Sequence, residues 1–152
     1  MNIPDNFQVI DHALIHHKLG LIRDKNTGSK EFRELVTEAT MLLAYEATKD
    51  LPLNDAEVQT PITTAQVKTV AVADIVLVPI LRAGLGMVEG MLKLIPNAQV
   101  GYVGMERDHE THQPVDYYFK IPNQAHKRTF IVLDPMLATG GTIIATVDRL
   151  KD

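Results

Sequence analysis

The chain contains no cysteine and no tryptophan, few aromatic residues, no long apolar run and no excess of positive charge. Without cysteine, disulfides and thiolate metal ligands are excluded. No run reaches the roughly 18 apolar residues that a membrane-spanning helix needs, so we expect neither a transmembrane helix nor a membrane partner. The formal net charge of −4 and the pI of about 5.8 disfavour general nucleic-acid binding. Any bound anion must therefore be held by a local cluster of groups.

Length and composition bound the domain organisation. The first five residues lack the basic start and apolar stretch of a secretory signal, so we expect a cytoplasmic location. The 152 residues, 45% of them hydrophobic, suffice for one domain with a substantial core. No internal repeat or low-complexity segment divides the chain. We therefore predict a single domain over residues 1–152.

Two segments in the first third of the chain have the apolar spacing of helices. His12–Arg23 predicts a short helix, although Gly20 weakens it. Glu31–Lys49 carries one apolar stripe at three- and four-residue spacing, the pattern of a longer amphipathic helix. Ser29 is the expected N-cap of that helix, and Leu51-Pro52 is expected to end it.

The remaining pattern alternates between strands and helices. Residues 55–69 are rich in β-branched side chains and predict one or two strands, with Pro61 at an edge or in a turn. Three apolar runs predict further strands, at Ile75–Leu81, Gln99–Met105 and Thr129–Leu133. Helical patterns follow the first and the third of these strands, over Ala83–Ile95 and from Ile143 onward. This order indicates an α/β domain with a parallel β-sheet flanked by helices, in which ligands bind beyond the carboxyl ends of the strands.

Residues 106–128 differ from their surroundings, because they are charged and aromatic. Val115, Tyr117 and Phe119 alternate with polar or aromatic neighbours, which predicts an extended arm or hairpin. The rings of Tyr117, Tyr118 and Phe119 could stack on a base, but we expect them to make packing or dimer contacts. His109–His112 is one residue short of the zinc-protease pattern and is expected to form the tip of the arm.

Three histidines in the first predicted helix have a spacing that could hold a metal: His12, His16 and His17. No carboxylate ligand is obvious near them. We therefore predict no metal site formed by protein side chains.

The segment Leu133–Thr142 carries the strongest chemical signal. A buried strand delivers Asp134 to the sheet edge, and a run of small residues then leads into a helix. Glycines let backbone N–H groups approach a phosphate, and the helix N-terminus adds the positive end of its dipole. A carboxylate beside a phosphate cradle makes sense if it accepts hydrogen bonds from sugar hydroxyls. The segment therefore predicts binding of a phosphorylated sugar, against the alternative of an ordinary strand–turn–helix connection.

Two arginines are candidates for a second anion contact. Arg82 follows a buried strand, and Gly84 and Gly86 behind it could let the backbone approach the same anion. The alternative is a solvated surface arginine at a helix start. Arg107 has Glu106 and Asp108 beside it, so local ion pairing, contributing roughly 0–1 kcal/mol, is a rival interpretation.

Taken with three other blocks, these motifs resemble the bacterial uracil phosphoribosyltransferase family over nearly the whole chain. The matching blocks, in order, are His17–Arg23, Glu31–Leu35, Tyr45–Leu51, Val78–Met87, Val103–Met105 with Arg107, and Asp134–Thr142. The resemblance implies a type I phosphoribosyltransferase fold with an extended β-arm. It also implies the reaction of uracil with 5-phosphoribosyl-1-diphosphate (PRPP) to give UMP and diphosphate, with Mg²⁺ bound to the diphosphate. A homodimer is implied, and some family members are activated by GTP.

The resemblance also implies roles for individual residues. Arg82 and Arg107 would contact the diphosphate of PRPP, and Asp134 would hold the ribose hydroxyls. Related transferases start this loop with two acidic residues, and Pro135 takes the second place here, as is usual in the uracil-specific branch. The rest of the loop would hold the 5-phosphate: Met136, Leu137, Ala138, Thr139, Gly140, Gly141 and Thr142.

Two departures from the family pattern limit what the resemblance implies. Glu106 replaces an uncharged residue of many members, and its carboxylate could weaken the attraction of Arg107 for diphosphate. Family members also continue past the position of Asp152 with a segment that binds uracil, so we expect this domain to be incomplete at its C-terminal end. The alternative functions are a regulatory module that binds PRPP or nucleotides without turnover, and a fragment that binds the donor but does not catalyse.

Overall fold

The computed structural model describes residues 6–107, 114–123 and 125–152. Within these ranges the chain forms four α-helices, seven β-strands and two 3₁₀ turns. The helices are α1 Ala13–Arg23, α2 Ser29–Ala47, α3 Leu85–Leu94 and α4 Gly141–Lys151; the strands are β1 Leu53–Gln59, β2 Thr64–Val70, β3 Ile75–Leu81, β4 Gln99–Val100, β5 Tyr102–Arg107, β6 Pro114–Lys120 and β7 Thr129–Leu133; the turns are Val72–Asp74 and Ala125–Lys127. No helix in the described ranges has the length and apolar character needed to cross a bilayer.

Both predicted N-terminal helices are confirmed, with changes at their ends. In α1 the Nδ1 atom of His12 caps the helix by accepting a hydrogen bond from the Leu14 amide at 3.2 Å. The prediction of Ser29 as the N-cap of α2 was wrong. Gly28 takes that place, and its carbonyl accepts from the Phe32 amide at 2.8 Å. The helix ends before Pro52, at Thr48, whose hydroxyl donates to the carbonyl oxygen of Ala44 at 2.7 Å.

The main sheet is built around β3. Strands β4 and β5 pair with one side of β3 and β7 pairs with the other, and all three are parallel to it, as predicted. Strand β6 extends the sheet antiparallel to β5, so the sheet as a whole is mixed. The single strand predicted over Gln99–Met105 is interrupted at Gly101, whose amide donates to the Leu77 carbonyl at 2.9 Å and bridges β4 and β5.

Strand β3 is buried on both faces, which explains its continuous apolar sequence. Ile75 and Leu77 belong to a cluster with Ala44 of α2, Met91 of α3 and Ile95, which follows α3 directly. Val76 and Val78 belong to a second cluster, against which Leu150 of α4 packs. Because alternate residues of a strand point to opposite faces, α3 and α4 cover opposite faces of the sheet.

A separate two-stranded sheet is formed by β1 and β2. The strands pair antiparallel, in a register that places Val58 opposite Ala65. Pro61 lies in the turn between them, as predicted, and the Thr60 amide donates to the Thr63 carbonyl across that turn at 3.0 Å. Most side chains of the two strands are exposed.

The predicted extended arm is confirmed for its returning strand, because β6 is an antiparallel strand. A bulge at Gly104/Met105 shifts the register between β5 and β6. The expected tip at His109–His112 lies outside the described residues.

Two glycines in helices give a matched test of packing. A Cβ atom added at Gly90 would lie 2.5 Å from the Thr37 carbonyl oxygen, where α3 crosses α2, whereas one added at Gly20 would meet nothing within 4 Å. We expect Gly90→Ala to lower the free energy of unfolding by about 1–3 kcal/mol through overpacking. Gly20→Ala should raise it by about 0.5–1 kcal/mol, since alanine is the better helix former. Urea denaturation measures both, and a Gly90→Ala variant as stable as the parent would contradict the close crossing.

Candidate active site

The carboxyl ends of β3 and β7 meet at one edge of the main sheet. Pro79 pairs with Leu133, the last residue of β7, so Asp134 leaves the sheet there, while β3 continues beside β5 to Leu81. A cavity of about 310 Å³ opens at this edge. It is lined by residues from the β3–α3 turn, from β5 and from the β7–α4 loop: Ile80, Leu81, Arg82, Ala83, Met105, Asp134 and every residue of 136–143.

The structure brings most of the predicted loop residues together in this cavity. Asp134 is half-buried, and its Oδ1 atom accepts a long hydrogen bond of 3.4 Å from the Met136 amide. Residues 136–142 all line the cavity, whereas Pro135 is exposed and is not among the lining residues. The predicted sugar-binding carboxylate and the predicted phosphate cradle therefore face one volume.

The N-terminus of α4 opens directly onto the cavity. Gly140 precedes the helix with φ of +81°, a left-handed conformation that glycine adopts without a steric cost. The first helical hydrogen bond joins the Ile144 amide to the Gly140 carbonyl at 2.9 Å. The amides of Gly141, Thr142 and Ile143 consequently have no acceptor within the helix, and an anion in the cavity could accept from them.

Helix α4 is held firmly behind this opening. The hydroxyl of Thr146, which is fully buried, donates to the Thr142 carbonyl at 2.9 Å. Near the other end of α4, Arg149 Nε lies 3.1 Å from Asp116 Oδ2, and the guanidinium carbon of Arg149 lies 4.5 Å from the centroid of the Phe119 ring. Phe119 thus makes a packing contact, as expected for this aromatic segment. Tyr117 lies against Gly104 of β5.

Arg82 is the only basic side chain among the described residues that line the cavity, and Asp134 is the only acidic one. Arg82 follows β3 through a cis peptide bond from Leu81, and its side chain is exposed. Within the described part of the chain no ion pair engages its guanidinium. The cavity therefore combines a cation and a helix N-terminus, which favour anions, with one carboxylate, which favours hydroxyl donors.

The turn that carries Arg82 packs against the end of β7. The Gly84 amide donates to the Ile80 carbonyl at 2.9 Å, which closes the turn. A Cβ atom added at Gly84 would collide with the Leu133 carbonyl oxygen and lie 2.7 Å from the Ile80 nitrogen. The absence of a side chain at Gly84 thus makes room for protein backbone, whereas the sequence suggested room for an anion.

Arg107 is the last residue of β5, so its backbone ends at the same sheet edge as the cavity. Its side chain lies outside the described residues, and its predicted role stays a prediction. Glu106 is exposed and pairs in register with Val115 of β6. Met105, which the sequence did not single out, lines the cavity from β5.

Four other lining residues were also missed by sequence reasoning: Ile80, Leu81, Ala83 and Ile143. They are apolar residues at strand and helix ends, where the sequence pattern indicated core packing. Their position at the carboxyl edge of a parallel sheet is the signal that could have identified them.

Two of the three histidines near the start of α1 make contacts within the protein. His12 caps the helix, and His16 Nε2 lies 2.7 Å from Asp11 Oδ1. In the described ranges, no group of three or more His, Cys, Asp or Glu side chains is placed to hold a metal ion.

Comparisons with known proteins agree with this architecture. The family model described as uracil phosphoribosyltransferase matches residues 9–152. The chain is 60% identical over 144 residues to a uracil phosphoribosyltransferase of Desulfitobacterium hafniense, and the match covers 95% of this chain and 69% of the relative. The protein of that name from Bacillus caldolyticus is 56% identical over 143 residues, covering 94% and 68% of the two chains.

A solved structure of a protein from Aquifex aeolicus is also similar. It superposes with a TM-score of 0.87 at 39% sequence identity, covering 93% of this chain and 67% of that one. The chain therefore spans a little over two thirds of the length of these relatives.

Proposed function

This chain belongs to the uracil phosphoribosyltransferase family, and we propose that its cavity transfers the phosphoribosyl group of PRPP to uracil, giving UMP and diphosphate. One observation carries the assignment of the cavity: it combines a helix N-terminus, one arginine and one carboxylate at the carboxyl edge of a parallel sheet. PRPP carries a complementary group for each of these features. Its 5-phosphate matches the helix N-terminus, its ribose diol matches the carboxylate, and its diphosphate matches the arginine.

The 5-phosphate of PRPP would bind at the N-terminus of α4. The amides of Gly141, Thr142 and Ile143 have no acceptor within the helix, and the dipole of α4 favours negative charge at the same place. The hydroxyls of Thr139 and Thr142 line the same cavity and are further hydrogen-bonding groups for phosphate oxygens. The left-handed Gly140 lets the loop turn into the helix with its backbone close to the ligand.

The ribose and the diphosphate would occupy the rest of the cavity. Asp134 accepts hydrogen bonds from the two ribose hydroxyls, since an ionised carboxylate can only accept. Arg82 contacts the diphosphate, for which a planar guanidinium provides two parallel donors. We assign Arg107 to the same diphosphate on the basis of its motif.

Catalysis in this site requires orientation and charge neutralisation, and it needs no covalent intermediate. The bond between the anomeric carbon and the diphosphate oxygen breaks, a bond to the uracil nitrogen forms, and that nitrogen releases its proton to water. Positive charge develops at the anomeric carbon and negative charge on the leaving diphosphate. Arg82 stabilises the negative charge on the leaving diphosphate. Asp134 holds the sugar, which carries the developing positive charge.

The single carboxylate among the described lining residues of the cavity is consistent with Mg²⁺ that arrives on the donor. Mg²⁺ commonly binds through one or two carboxylates plus substrate phosphates and retains several waters. Among the described lining residues the cavity offers Asp134 alone, so Asp134 would be the one side chain there to hold a Mg²⁺ that arrives with the diphosphate. When bound, the metal neutralises charge on the diphosphate.

Three finer properties follow from the family resemblance and are proposals here. They are assembly as a homodimer, activation by GTP and a cytoplasmic location. Analytical ultracentrifugation tests the first, and the dependence of UMP formation on added GTP tests the second.

The function is tested by incubating the purified chain with labelled uracil, PRPP and Mg²⁺. We expect labelled UMP, because the cavity supplies groups for each part of the donor. Hypoxanthine in place of uracil is the control for base selection and should give no nucleotide. Binding of PRPP by calorimetry without any UMP would instead support a donor-binding module without turnover.

A further inference from the structure

We infer that Gly84 is a positioning residue, which sets the spacing between the diphosphate half and the ribose-phosphate half of the donor site. The inference rests on the proposed function, since it assumes that Arg82 and Asp134 hold two parts of one ligand. It assigns to Gly84 a role in donor binding that needs no contact between Gly84 and the donor.

The first observation is the contact itself. Gly84 is buried, and a Cβ atom there would collide with the Leu133 carbonyl oxygen and lie 2.7 Å from the Ile80 nitrogen and 2.9 Å from the Ile80 oxygen. Real Cβ atoms essentially never approach other atoms within 3.0 Å. All three obstacles are backbone atoms of paired strands, so no change of side-chain rotamer could relieve the overlap. Any residue other than glycine must move the backbone.

The second observation is that the two clashing backbone segments carry Arg82 and Asp134. Arg82 precedes Gly84 by two residues, and Asp134 directly follows Leu133. The turn is tied to β3 by the hydrogen bond from Gly84 to Ile80, and the end of β7 is tied to β3 by the pairing of Leu133 with Pro79. The Leu133 oxygen is the nearest of the three obstacles, so an added methyl group pushes apart the two segments that carry Arg82 and Asp134.

A ligand that bridges two half-sites depends on their spacing in a way that its fragments do not. PRPP engages both halves at once, so its affinity includes an effective concentration that falls when the halves no longer match its length. Inorganic diphosphate and ribose 5-phosphate each need only one half. A change of spacing therefore weakens PRPP selectively, whereas general destabilisation weakens all three ligands alike.

The experiment measures the dissociation constants of PRPP, inorganic diphosphate and ribose 5-phosphate, each with Mg²⁺, by calorimetry on the full chain and on Gly84→Ala. We expect the affinity for PRPP to fall at least about tenfold, and those for the two fragments to change less than about twofold. An equal loss for all three ligands, or no loss for PRPP, would overturn the inference.

The matched control is Gly90→Ala, which creates the same kind of overlap with a backbone oxygen, that of Thr37, away from the cavity. Its affinities for all three ligands should equal those of the parent chain, so a selective loss for PRPP in this variant would also overturn the inference. If the parent chain bound no PRPP at all, the proposed function would fail first, which distinguishes the two failures.

If Gly84→Ala does not fold, hydrogen exchange on the unmodified chain decides. Ribose 5-phosphate has no group for Arg82, yet it should slow the exchange of the Gly84 and Leu85 amides, because the turn rests on the end of β7. Slower exchange at residues 141–144 with unchanged exchange at Gly84 and Leu85 would show that the two halves are not linked through this contact.

Discussion

Replacing Asp134 with asparagine is expected to lower kcat/KM for PRPP by about 100-fold while leaving the fold intact. Hydrogen bonds to a charged group contribute about 1.5–3 kcal/mol, and each 1.4 kcal/mol is a factor of ten. The amide removes the charge, and its NH₂ group donates where the carboxylate accepted from a ribose hydroxyl. In the parent chain Asp134 Oδ1 accepts a hydrogen bond of 3.4 Å from the Met136 amide. The side-chain oxygen of asparagine can accept the same bond, so the loop should keep its conformation.

The measurement is the initial rate of UMP formation over a range of PRPP concentrations, with the melting temperature recorded in parallel. Asp148→Asn serves as the control, since Asp148 is exposed on α4 and does not line the cavity. It should retain parental kinetics. Near-parental turnover of the Asp134→Asn variant would refute the assignment of this carboxylate to the ribose.

The second large effect is expected at Arg82. Arg82→Gln removes the only basic side chain among the described lining residues, and we expect kcat/KM for PRPP to fall by about 100-fold or more. Arg82→Lys should fall between the parent and the glutamine variant, because lysine keeps the charge but loses the planar pair of donors. Affinity for ribose 5-phosphate should stay unchanged, since that ligand lacks the diphosphate.

Calorimetry with PRPP, diphosphate and ribose 5-phosphate separates these expectations. Arg33→Gln provides the control for the loss of one positive charge, because Arg33 is exposed on α2 and outside the cavity. An Arg82→Gln variant that binds diphosphate as tightly as the parent would remove Arg82 from the site.

The elements with one dominant physical cause were predictable from sequence. Strand β3 is an unbroken apolar run because both of its faces are covered, and nothing else competes for that pattern. The ends of α2 were less predictable, because Gly28 and Ser29 can both precede a helix. Here the Gly28 carbonyl accepts the first helical bond, and Thr48 ends the helix before Pro52 is reached.

The position of the loop could be predicted from the sequence, but its spacing from the turn that carries Arg82 could not. Asp134 and the loop to Thr142 follow one strand, so local sequence alone indicated a phosphorylated sugar. The contact of Gly84 with Leu133 depends on the pairing of β3 with β7, which brings together segments remote in sequence. The same holds for Met105, which reaches the cavity through the pairing of β5 with β3. The single-domain organisation and the roles of the site residues remain predictions.

The central position of β3 also affects how the protein is made. Strand β3 ends at Leu81, but its parallel partner β7 begins only at Thr129, and the loop from Asp134 to Thr142 follows later still. Translation delivers the chain from its N-terminus, so a ribosome must synthesise β7 before β3 can be covered on its second edge. Until then the most apolar strand is flanked on one side only and is exposed to wrong pairing. The cavity that we propose as the donor site needs both strand ends, so it is among the last parts of this region to form.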